Sequence, residues 1–175
     1  FDNKYYKVPT FGKIWKIIDF GRAIYKYKNN VICSDCFDKN GDADGQYNCE
    51  PFLNEEKPKL EPNTSFDLCR LGCSLFDFFV DDIIDMKNNK LSPIEKIVVS
   101  WCYDDNNKNI LYKKNGEERY PEFKLYKMIA RNVHNHTPEK QLQHDVFASF
   151  QISKKKINNN QQKKILYIDN LPDYT

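Results

Sequence analysis

A chain of 175 residues has room for one domain or one large lobe. With 40% hydrophobic and 14% aromatic residues it can bury a sizeable core, although its mean hydropathy is -0.76. Its 27 basic and 25 acidic residues leave a formal charge of +2, which argues against nucleic acid as a partner of the whole domain. No apolar run approaches the roughly 18 residues needed to span a bilayer, so no membrane partner is expected either.

The chain opens on Phe1 with no signal peptide, which reads as a soluble piece of something longer. Cys33, Cys36, Cys49, Cys69, Cys73 and Cys102 are few for this length, and several sit in apolar runs. That usage suits reduced, buried thiols in a cytoplasmic protein. Cys33-x-x-Cys36 is the one pair whose spacing suggests zinc or redox chemistry.

In chain order, Lys4 to Pro9 and Lys13 to Phe20 read as two short strands joined by a turn at Thr10-Phe11-Gly12. The second runs from a buried apolar stretch, Ile14 to Ile18, into Asp19-Phe20-Gly21. A carboxylate at a strand exit, followed by an aromatic anchor and a glycine hinge, suits a magnesium–phosphate site. Asp19 would ligate the metal, Phe20 would pack beneath it, and Gly21 would let the next segment swing.

Residues 29 to about 63 lack periodicity and hold Gly41, Gly45, Pro51, Pro58 and Pro62, which marks a functional or disordered segment. Within it, Asn40-Gly-Asp42-Ala-Asp44-Gly45 imitates the start of a calcium loop. The twelfth position, where a bidentate Glu belongs, is Pro51, so a turn rich in Asx residues is the expectation.

From Phe66 to Ile84 apolar residues occupy nearly every face, which predicts a central helix buried on all sides. Asn63, Thr64 and Ser65 offer its N-cap, and Thr64-x-x-Asp67 reads as a capping box. Ser92-Pro-Ile-Glu95 is a second capping box, with Pro93 at the first helical position and Ile94, Ile97, Val98 and Trp101 at helical spacing. Asp104 to Lys108 is a polar loop, and Asn109 to Gly116 an extended piece ending in a turn. Pro121 opens a helix with Phe123, Tyr126, Ile129 and Val133 on one face. Thr137-Pro138 caps a last helix with Leu142, Val146, Phe147 and Phe150 on its apolar face. His134, His136 and His144 belong near helix ends. Residues 151–175 form a Lys/Asn-rich tail, expected to be mobile, with a basic surface for an acidic partner as the alternative reading.

The order of these elements resembles the C-terminal lobe of the protein kinase fold. Three places carry the likeness: Ile17-Ile-Asp19-Phe-Gly21, the helix beginning Asp67-Leu-Cys-Arg-Leu71-Gly72, and Leu142-Gln-His144-Asp-Val-Phe147. A narrower likeness is to kinase-like proteins of large nucleocytoplasmic DNA viruses, on residues 17–23, 41–47 and 62–72. The resemblance implies an α+β, mainly helical fold over residues 1–150, with a small two-stranded β element before Asp-Phe-Gly. It implies ATP and Mg2+ as cofactors and a protein substrate phosphorylated on Ser or Thr. It places the protein in the cytoplasm, that of a host cell or in a virion if viral.

Residue by residue, Asp19 would bind magnesium, Phe20 and Gly21 would complete the nucleotide-side motif, and Asp67 would support the catalytic loop from beneath. Residues 22 to about 62 would be the activation segment. The departures are an unclear Ala-Pro-Glu, Cys69 in place of a tryptophan, Asn135 where an arginine is usual, and no His-x-Asp-x-x-x-x-Asn segment. The expectation is therefore a kinase fragment without a catalytic residue of its own, inactive as this piece. A pseudokinase or kinase-like scaffold acting through partner binding is the alternative.

Overall fold

The computed structural model describes residues 3–13, 16–37, 40–43, 62–81, 91–122, 124–157 and 165. Within them the chain is α+β. The long helix α1, Thr64–Phe79, is the element on which the others pack, and it makes its most extensive contact with α2, Pro93–Trp101. Helix α3 is Lys124–Asn132. Two four-residue helices follow, α4 at Pro138–Gln141 and α5 at Asp145–Ala148. There are two small antiparallel sheets. Strand β1, Tyr5–Tyr6, pairs with β4, Gln151–Ile152, and β2, Tyr25–Tyr27, pairs with β3, Asn30–Ile32.

Helix α1 starts where its sequence directs it to, with Asn63 as N-cap: its side chain accepts from the Ser65 amide at 3.0 Å. The same Asn63 donates through Nδ2 to the Val133 carbonyl at 2.8 Å, and the His136 amide donates to Ser65 Oγ at 3.1 Å. These bonds fix the start of α1 to the chain leaving α3. Helix α2 has the capping box read from Ser92-Pro-Ile-Glu95: Ser92 N donates to the Glu95 carboxylate at 2.7 Å, and Glu95 N donates back to Ser92 Oγ at 3.4 Å.

The main core joins Cys69, Phe76 and Val80 to Val99, Cys102, Ile110, Ile129 and Val133. Burying each large side chain here contributes about 1.5–3 kcal/mol. The thiols of Cys69 and Cys102 are pushed far up by hydrogen bonding to Cys73 and by burial, so both stay protonated. On the other side of α1, Ile97, Val98 and Trp101 meet Leu68, Leu75, Val146 and Phe147. A third cluster, Phe37, Ala43 and Ala130, takes in Ile24 and Phe66 and so holds the segment after Asp-Phe-Gly against α1 and α3.

Several expectations change. The two-stranded element before Asp19 does not form as read: β1 pairs with β4, so residues 16–19 have no ladder partner and are irregular. Helix α1 is not buried on all sides; Phe78 is 82% and Leu71 48% exposed, because helices cover only part of its circumference. It is capped by Asn63 alone, without the Thr64–Asp67 box. The last helix is broken into α4 and α5, separated by a turn at Leu142–His144. Strand β4 and the 3-10 turn Lys154–Lys156 lie within the segment read as a tail. Most of the calcium-like loop, Ile84, Phe123 and residues 166–168 lie outside the described residues.

Candidate functional site: a cleft between Asp19 and Asp67

After the irregular Lys16–Ile18 the chain reaches Asp19, whose backbone is left-handed at φ 64, ψ 69. Aspartate tolerates this region better than most residues, but it is uncommon, and such outliers gather at functional positions. Asp19 then caps a single 3-10 turn, Phe20–Arg22, closed by the Ala23 amide donating to the Phe20 carbonyl at 2.9 Å. Strands β2 and β3 follow as a tight hairpin, whose turn residues Lys28 and Asn29 both have positive φ, at 48° and 64°. That is the hairpin turn geometry, in a stretch where the sequence suggested irregular chain.

The segment 17–24 forms one wall of a cleft of about 300 Å³. Asn63, Phe66 and Asp67 at the start of α1, with Ala130 of α3, form the other. Asp19 and Phe20 of one motif and Asp67 of another, read separately in the sequence, thus line the same space. Asp67 lies in the first turn of α1, where the helix dipole favours a carboxylate. Loss of water in the cleft nevertheless pushes its pKa up. Arg22 also lines the cleft, and its guanidinium is a group suited to phosphate or carboxylate.

The rest of the motif differs from expectation. Phe20 is 67% exposed and Ile17 and Ile18 are 77% and 78% exposed, so Phe20 packs beneath nothing and the stretch before it is not a buried strand. Without a ladder partner, no second layer covers them. Gly21 is not the residue with unusual backbone; the left-handed position is Asp19, and a Cβ on Gly21 would meet Asp19 Oδ1 at an ordinary 3.4 Å. Arg22, Asn63 and Ala130 join the site through tertiary contact, and only Arg22's adjacency to the motif gives a sequence signal for any of them.

No group of three metal-ligating side chains exists among the described residues. Cys36 of the Cys33-x-x-Cys36 pair packs beside Phe37 and Ala43. Magnesium asks less: one or two carboxylates, with water and phosphate completing its shell. Asp19, the one residue expected to ligate magnesium, is a cleft-lining carboxylate of the kind that smaller requirement names. His134 and His136 tie loop segments together. His134 Nδ1 lies 2.6 Å from the Asp105 carboxylate and its amide donates to the same group at 2.8 Å, while His136 Nε2 bonds the Tyr103 carbonyl at 2.8 Å.

No family model, curated protein or solved structure matches the chain. Among the described residues, no helix is long and apolar enough to cross a membrane.

Proposed function

We propose that this chain is the helical lobe of a protein kinase-like fold, contributing the metal-ligand side of an ATP-dependent transfer of phosphate to protein serine or threonine. The observation that carries the reading is the convergence of Asp19 and Asp67 on one cleft, with Asp19 in the left-handed backbone region. Asp19 is the magnesium ligand and Arg22 a cation for a phosphate oxygen. Asp67 is a positioning residue rather than a catalytic one. Magnesium held there would neutralise phosphate charge and align the transferred group. The reading requires a catalytic base and a glycine-rich loop from outside these 175 residues, which contain no His-x-Asp-x-x-x-x-Asn segment.

A second reading, a kinase-like scaffold that binds a partner without catalysis, is favoured by the exposed Ile17, Ile18 and Phe20 beside the cleft. The two separate in one experiment: magnesium-dependent phosphate transfer from ATP to a general protein substrate, using the longest natural protein that contains these residues. The kinase reading expects activity that Asp19→Ala lowers at least about 100-fold, the scale of losing a preorganised charge-stabilising group. Wild-type activity in that variant removes Asp19 from the site, and no activity in the parent favours the scaffold.

A further inference from the structure

The chain's charge is unevenly placed. Residues 3–18 and 146–168 together hold nine lysines and no acid, so in a chain of net charge +2 the remainder carries -7. These two basic segments are far apart in sequence, yet the β1–β4 pairing joins them, with Tyr5 opposite Ile152 and the Lys7 amide donating to the Phe150 carbonyl at 2.8 Å. Lys7, Lys13, Lys16 and Lys154 to Lys156 are all exposed.

The loop leaving β1 ends in a turn, closed by the Lys13 amide donating to the Thr10 carbonyl at 2.9 Å. Its central residues are Phe11 at φ 49° and Gly12 at φ 76°. The first of these positions ordinarily takes Asn, Asp or Gly. A phenylalanine is strained there, and its ring lies open: Phe11 is 90% exposed and Val8, on the same loop, 62%. Neither turn chemistry nor core packing accounts for Phe11. An apolar tip flanked by lysines, on a basic strand pair, has the chemistry of an interfacial membrane anchor: the ring enters the acyl boundary while the ammonium groups stay at anionic headgroups.

We propose that the Val8–Lys13 loop and the lysines of the β1–β4 pair dock this protein on an anionic phospholipid surface. This departs from the expectation of no membrane partner, which rested on the lack of a spanning segment; a surface contact needs none. Lipid fits better than nucleic acid because the exposed tip at Phe11 is continued by the aliphatic Val8 and Pro9 and not by a second ring, and the two segments offer lysines but no arginine.

The test is co-sedimentation of the whole chain with phosphatidylcholine vesicles that do or do not contain phosphatidylserine. Phe11→Asn is the informative variant because it suits the left-handed position and should not lower the thermal unfolding midpoint. It is expected to weaken partition onto the phosphatidylserine vesicles about tenfold, the lower end for withdrawing one aromatic side chain. Changing Lys154, Lys155 and Lys156 together to Gln should weaken it further, about fivefold per lysine, and added salt should do the same. Equal partition onto neutral vesicles, no partition, or unchanged partition of Phe11→Asn would each overturn the proposal. So would binding to a single-stranded RNA oligomer in place of vesicles.

Discussion

Gly72 is a point of close approach between helices α1 and α2. A Cβ added there would lie 3.0 Å from Trp101 Cβ, 3.0 Å from the Val98 carbonyl oxygen and 3.2 Å from Cys102 Sγ. In an exposed helix, Gly→Ala is stabilising by about 1 kcal/mol through backbone propensity. Here the added methyl must displace helix α2 itself, since a carbonyl oxygen and a Cβ cannot rotate away. Overpacking of this kind costs about 1–3 kcal/mol. Taking the middle of that range, Gly72→Ala loses about 1 kcal/mol net, which for a chain of this size lowers the melting midpoint by about 2–4 °C. Equilibrium urea unfolding against Ser74→Ala, an exposed position on the same helix, supplies the comparison. If Gly72→Ala gained stability by the full propensity difference, the close approach of α1 and α2 would be wrong.

Trp101→Phe removes the donor to Gln141 Oε1, a buried 2.6 Å bond that ties α2 to α4. An expected loss of about 1–3 kcal/mol in urea unfolding follows from leaving the buried amide oxygen unpaired; a loss below a few tenths would mean that α4 is not docked on α2. Asp67→Asn tests the desolvated carboxylate. Because the folded pKa is raised, the charged form costs stability above that pKa, and the cost vanishes as pH falls below the unfolded value, near 3.8. The variant should therefore be more stable than the parent near neutral pH and no more stable at acidic pH, as measured by thermal unfolding at both. A gain that does not depend on pH would place its cause elsewhere.

Local signals were read well where the physics is local. The Ser92–Glu95 box encodes its own helix start, and Ile129 and Val133, four residues apart, are both fully buried, as their spacing requires. Asp19 and Asp67 each sit in a short pattern that singles them out in sequence, Asp19 as an expected metal ligand and Asp67 as an expected structural support. Their sharing of a cleft depends on Ile24 and Phe66 packing with Phe37, contacts that no periodicity announces. Pairing of β1 was misassigned because a two-residue ladder with a partner some 145 residues away leaves no mark in sequence, whereas a nearby apolar run does. The β2–β3 hairpin was hidden for another reason: its turn uses Lys28 and Asn29 at positive φ, without the glycine that usually signals one. Apolar density along α1 correctly placed a core helix, but density alone does not say which faces find partners, and Phe78 found none.

Manganese, a paramagnetic substitute for magnesium, tests the central claim without requiring turnover. Added with ATP to the isotopically labelled chain, it should broaden amide signals of residues 19–24 and 63–67, the two walls of the cleft, and leave α5 unaffected. Asp19→Ala should abolish that broadening. Broadening centred elsewhere, or undiminished in Asp19→Ala, would contradict the assignment of Asp19 as the metal ligand.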